Sequence, residues 1–168
     1  MEENDIKQKA EEFARANRDR FAKEITNIEK YPPEKIPVSI FMAGSPGAGK
    51  TEFARNLKKI LNESVEVKNK FINIEPDEYR PLIPGYVGNN SHLFHIAVSL
   101  ITERVHDLVL KNDQSFIFDS TLSKYEKAVD NIKRSLSKNR AVIIFYVYQR
   151  PEVSWEFTLA REELEKII

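Results

Sequence analysis

Phe41-Met42-Ala43-Gly44-Ser45-Pro46-Gly47-Ala48-Gly49-Lys50-Thr51 decides the reading of this chain. A short apolar run enters a loop of the form G-x-x-x-x-G-K-T, the signature of a phosphate-binding loop between a strand and a helix. The glycines let the backbone turn tightly, so that successive N–H groups point inward at phosphate oxygens. Gly44, Ser45, Pro46, Gly47, Ala48, Gly49, Lys50 and Thr51 are therefore the expected nucleotide contacts. Lys50 supplies a mobile positive charge for the β- and γ-phosphates, and the Thr51 hydroxyl is the expected ligand of the bridging Mg²⁺. A helix opening at this point sets its positive end on the same anion.

The flanks agree with the motif. Val38-Ser39-Ile40-Phe41-Met42 has the apolar character of a strand buried in a parallel sheet. Phe53, Leu57, Ile60 and Leu61 recur at helical spacing behind the loop. Further along, residues 71–74, 115–119 and 141–148 read as strands, the last being the most apolar run in the chain. Residues 93–110 and 122–136 read as helices, Pro151 opens another, and the stretch 76–90 reads as a loop rich in Pro and Gly. Alternation of strand and helix predicts an α/β fold of three layers, a parallel sheet flanked by helices, as in P-loop NTPases. Residues 1–34 form an expected N-terminal helical extension and 35–168 the nucleotide-binding domain. The extension's helix, read over 5–30 and ended by Pro32-Pro33, carries Ile6, Phe13, Phe21, Ile25 and Ile28 roughly on one face. It is expected to pack outside the α/β domain and to give no catalytic group.

The 168 residues suit one domain, and 26 basic residues balance 26 acidic ones. Zero net charge argues against bulk binding to nucleic acid or to an anionic membrane. There is no cysteine, hence neither disulfide nor thiol chemistry. The polar, acidic start is unlike a signal peptide, and no apolar run reaches a membrane span. The expectation is a cytoplasmic protein.

In a parallel sheet, ligands sit beyond the carboxyl ends of the strands. Asp77 lies three residues past one such end, beside Glu75. A carboxylate there suits a base that accepts the proton of a substrate hydroxyl, and equally suits a solvated turn. Asp119 ends another buried strand, where an acid supports the magnesium shell or binds a sugar hydroxyl; its plainer role is a helix N-cap. Glu103, Arg104 and Arg161 read by periodicity as surface charges, Arg161 having the sharper alternative of a lid arginine. His92, His95 and His106 match no metal-ligand spacing and read as loop and helix-face residues, with Tyr79, Tyr86 and His92 as possible pocket walls.

Together these residues resemble the zeta-toxin family of P-loop kinases, the toxin halves of epsilon/zeta-type toxin–antitoxin systems. The resemblance runs from about Pro37 onward. Beyond the P-loop it rests on Ile74-Glu75-Pro76-Asp77-Glu78-Tyr79-Arg80, which looks like the family's I-D-x-D-x-[FY]-[RK] element, with Glu75 in place of the first Asp. The resemblance implies that Asp77 is the catalytic base. It implies that Glu103, sixteen positions before Asp119, contacts the acceptor sugar together with Asp119 and Thr121 of Asp119-Ser120-Thr121, where the family commonly has Glu and Gly at the first two places. It implies that Arg161 is the lid arginine. The implied reaction is ATP- and Mg²⁺-dependent phosphorylation of UDP-N-acetylglucosamine at the 3′-hydroxyl of the sugar, and the implied partner is an antitoxin protein. Family members carry a second arginine about a dozen residues beyond the first. Because this chain stops at Ile168, the expectation is near-normal ATP affinity with weak turnover. Phosphorylation of another small-molecule hydroxyl, and nucleotide-dependent binding without catalysis, are the competing readings.

Overall fold

The computed structural model describes residues 3–63, 70–120 and 122–167, with backbone alone for 161, 162 and 164–167. Four parallel strands form one sheet in the order β2-β3-β1-β4 among the described residues. They are β1 (Val38–Ala43), β2 (Ile72–Ile74), β3 (Phe116–Phe118) and β4 (Ala141–Tyr146). The helices are α1 (Glu3–Ile25), α2 (Lys50–Glu63), α3 (His95–Lys111), α4 (Tyr125–Leu136) and α5 (Pro151–Ile167). The expected α/β fold with a parallel sheet flanked by helices is the one observed.

Alternation along β1 divides the core in two, because successive side chains leave a strand on opposite faces. Phe41 packs with Ile72, Ile74, Phe116 and Phe118 on the face covered by α3. Ile40 and Met42 pack on the other face with Ala54, supported by Leu57 and Leu61 of α2. The stripe expected on α2 is thus half right, since Ile60 is exposed and Phe53 turns outward to meet the Phe145 ring at 5.3 Å. Helix α1 lies against α3, where Ala10, Ala14 and Ala22 are buried and let the two backbones approach closely. None of its residues lines either of the two cavities described below.

Several boundaries differ from expectation for local reasons. Helix α1 ends at Ile25 rather than near Lys30, because the Asn27 side chain accepts the N–H groups of Glu29 and Lys30 and starts a turn. Buried Gln114 then pins that turn by donating to the Thr26 and Tyr31 carbonyls. Most of the first half of the expected loop 76–90 is a 3-10 helix, Pro76–Leu82, opened by a proline whose missing N–H costs nothing there. The most apolar strand, β4, is not central. It sits at the sheet edge, with Ile144 51% and Tyr146 70% exposed. Among the described residues no helix is long and apolar enough to cross a membrane.

Candidate active site

Strand register brings the site together. Phe118 of β3 lies opposite Phe41 of β1 on one side and Ile74 of β2 on the other. The residues that follow these strands, the P-loop, Asp119 and Glu75, therefore emerge at one edge. The Asp119 N–H donates to the Ile74 carbonyl at 2.9 Å, and the Val147 N–H to the Ala43 carbonyl at 2.8 Å, which extends the sheet to the edge of the loop.

The loop itself has the conformation its glycines predict. Gly44 has φ +140° and Gly47 φ +74°, values that side chains disfavour. A Cβ on Gly44 would stand 2.3 Å from the Val147 carbonyl oxygen, and one on Gly47 2.0 Å from that of Ser154. The second contact places α5 directly over the P-loop. The Lys50 ammonium is folded back and donates to the Ser45 carbonyl at 2.6 Å. The Thr51 hydroxyl donates to Asp119 Oδ2 at 2.7 Å. Asp119 is buried, and desolvation holds its carboxyl above the usual carboxylate range, opposed by the Thr51 hydrogen bond and the Lys50 charge. A hydroxyl and a carboxylate side by side at the helix N-terminus are a hard oxygen pair, the donor set that Mg²⁺ takes. The residues present fit that ion. The N-cap role for Asp119 is ruled out, because α4 begins only at Tyr125 with Lys124 at its N-cap.

Two cavities open at this edge. One, of about 370 Å³, is bounded by Gly47, Lys50, Thr51, Glu75, Asp119 and Thr158. The other, of about 400 Å³, lies between the 3-10 helix, α3 and α4, and includes Glu103, His106, Phe118, Lys127 and Asn131. Both volumes are of ligand-site size. Pro76, Asp77 and Ser120 line both cavities. Asp77 is more than half exposed and its carboxylate is paired with Arg80 at 3.0 Å. Glu103 accepts from Lys127 at 2.6 Å across the mouth of the larger cavity. Asp119 lines the smaller cavity.

Glu75 takes a different part from Asp77. It is buried at the end of β2 and accepts from Arg55 of α2 at 2.9 Å and from Asn73 at 3.0 Å. Burial, with help from Glu78, raises its carboxyl above the ordinary value, and Arg55 opposes the rise. It ties α2 to the segment that bears Asp77, whose first turn closes through Glu78 N–H and the Glu75 carbonyl. Arg104 points away from the site to Asp19 of α1. Thr121 and the side chain of Arg161 lie outside what is described. Of the expected pocket walls, Tyr79 is core, Tyr86 stacks edge-on against Phe94 and His92 faces Glu3 of α1 at 3.7 Å, whereas His95 and His106, read as loop and helix-face residues, line the larger cavity. No cluster of three or more His, Asp or Glu side chains placed to hold a metal occurs among the described residues. Arg55, Ser154, Thr158 and Asn131 were not singled out by sequence. Arg55 had a weak signal, one helical turn past Thr51. The others read as ordinary helix residues.

Comparison with known proteins agrees with the fold. The sequence profile of the family described as Zeta toxin matches residues 22–167. A chain solved from the PezAT chromosomal toxin–antitoxin system of Streptococcus pneumoniae superposes with a TM-score of 0.76 at 20% identity, over 92% of this chain and 64% of that one. At that identity the likeness is one of fold. The ATPase subunit HslU of an ATP-dependent protease is 32% identical over 127 residues in Borreliella burgdorferi, and 28% identical over 153 residues in Listeria monocytogenes. These spans are 73% and 88% of this chain but only 24% and 30% of the HslU chains.

Proposed function

We propose, from the premise that this chain belongs to the zeta-toxin family, as the match over residues 22–167 establishes, that it is an ATP-dependent phosphotransferase acting on the sugar hydroxyl of UDP-N-acetylglucosamine. One observation carries the reading: Asp77 stands on the border of the two cavities, reaching both the P-loop side and the Glu103 side. In a kinase a base belongs at that border, because the attacking hydroxyl and the γ-phosphorus meet there.

The steps assign themselves to the residues. ATP lies along the loop from Gly44 to Lys50, with its phosphates on inward N–H groups and at the N-terminus of α2. Lys50 leaves the Ser45 carbonyl for the phosphates, where its charge offsets that developing on the transferred group. Thr51 and Asp119 would hold Mg²⁺, which when bound neutralises charge between the β- and γ-phosphates. Glu103 accepts a hydrogen bond from the acceptor sugar. The acceptor hydroxyl oxygen bonds to the γ-phosphorus as the bond from that phosphorus to the β,γ-bridging oxygen breaks. Asp77 takes the hydroxyl proton, and ADP departs. Arg80 holds the Asp77 carboxylate in place meanwhile. Family membership adds an antitoxin protein as the partner, and the two substrates put the work in the cytoplasm.

Asp77→Asn tests the reading, since it keeps shape and removes proton acceptance. Calorimetry should find ATP affinity unchanged, while transfer of labelled γ-phosphate to UDP-N-acetylglucosamine falls by roughly 10²–10⁴-fold. Unchanged transfer would move the base elsewhere, with Glu75 or Asp119 next.

A further inference from the structure

Two polar atoms of residues that line the larger cavity have no hydrogen-bond partner among the described residues. Oδ1 of Asn131, on α4, and Nε2 of His106, on α3, are both buried and both unpaired. The residues are 6% and 1% exposed, and both line the cavity. Their helices are tied together on both sides of Asn131. Arg134 is one turn beyond Asn131 on α4 and reaches across to His106 Nδ1 at 3.3 Å and to Asp107, while Lys127, one turn before Asn131, meets Glu103. An unpaired buried polar atom destabilises the fold, and hydrophobic replacements were available at both places. His106 already packs edge-on against Phe41, Phe116 and Phe118, where a phenyl ring would be at home.

The hydrogen-bonding sense of each atom is fixed. The guanidinium of Arg134 only donates, so His106 Nδ1 accepts, and a neutral ring then carries its proton on Nε2. The ring is neutral because burial first, and then the Arg134 charge, lower its pKa to about 3. Asn131 thus offers an acceptor and His106 a donor in the wall of the same cavity.

We propose that Asn131 and His106 recognise the imide edge of a uracil base in the acceptor substrate: its ring N–H donates to Asn131 Oδ1, and the adjoining C=O accepts from His106 Nε2. The inference rests on the larger cavity being the acceptor site. A uracil ring holds its N–H and C=O on one edge, whereas the trans amide of an N-acetyl group points them in opposite directions.

Calorimetry on the whole chain without ATP tests this, using UDP-N-acetylglucosamine, UDP-glucose, UDP and CDP as probes with Asn131→Leu and His106→Phe variants. Asn131→Leu should melt at or above the wild-type temperature, because an unpaired polar group has been removed, and His106→Phe, which also gives up the Arg134 contact, close to it; each should bind UDP-N-acetylglucosamine about tenfold more weakly. A loss seen with UDP-N-acetylglucosamine but not with UDP-glucose or UDP overturns the inference. A loss shared by UDP-glucose and UDP but not CDP assigns the base. Affinities unchanged in both folded variants overturn the inference and leave the kinase reading standing, as does a marked fall in melting temperature with unchanged affinity. A wild-type chain that binds ATP but none of the uridine probes overturns the acceptor-site premise, and this inference with it.

Discussion

Gly47→Ala measures how firmly α5 rests on the phosphate-binding loop. Gly47 has φ +74°, and a methyl group there would stand 2.0 Å from the Ser154 carbonyl oxygen and 2.7 Å from Thr158 Oγ1. Both obstacles belong to α5, and the nearer is backbone, so no rotamer change relieves it. Loop and helix must part by roughly 1.5 Å to restore van der Waals contact. The left-handed backbone alone costs an L-residue roughly 1–2 kcal/mol, and overpacking of this kind adds roughly 1–3 kcal/mol. Gly49→Ala is the control. Its φ of +87° imposes similar backbone strain, yet no atom lies within 4 Å of a methyl group built there. Urea denaturation of the nucleotide-free protein should therefore show Gly47→Ala less stable than Gly49→Ala by roughly 1–3 kcal/mol. Equal losses in the two variants would refute the packing of α5 on the loop.

Three further outcomes follow from the site. Lys50→Ala should fold and melt normally yet lose phosphoryl transfer, since its charge is needed at the γ-phosphate; wild-type rates in the folded variant would sink the P-loop assignment. Asp119, raised above its ordinary pKa of 3.8 by burial, keeps its proton to higher pH in the folded than in the unfolded chain, so the ligand-free protein should lose stability as pH rises through the folded value. Asp119→Asn should flatten that decline in a series of melting temperatures and weaken ATP binding only when Mg²⁺ is present; an unaltered pH profile would contradict the assignment. Glu103→Ala should raise the KM for the acceptor more than the KM for ATP, and equal changes would make Glu103 a surface residue paired with Lys127.

The sequence was most readable where one local pattern sufficed. The apolar run, the glycines and Lys50-Thr51 together announce strand, loop and helix, and the structure places all three there. Strand order was not readable, because hydrophobicity reports that β4 is a strand and not where in the sheet it lies. The end of α1 was misjudged because two prolines drew attention from Asn27, whose side chain had already turned the chain. Asp77 and Glu75 look interchangeable as letters. Only three-dimensional packing makes one a buried partner of Arg55 and leaves the other at the junction of two cavities. His106 and Asn131 gave no signal, since each occupies an ordinary helical position and its meaning depends on the helix opposite.

The alignment of Phe41, Phe118 and Ile74 across three strands works as a ruler. Thr51 and Asp119 are 68 positions apart in the chain, yet their 2.7 Å contact follows from strands paired a few residues upstream. One residue added inside residues 115–118 would displace Asp119 by about 3.3 Å and turn it to the opposite face of the sheet. The same addition in the turns between Gly85 and Asn90 would leave that alignment alone, because α3 lies between them and the strand. Tolerance to length change is thus distributed very unevenly along this chain. It is least in the strands, whose side chains never touch a phosphate, because they hold the gauge by which the reacting groups are set.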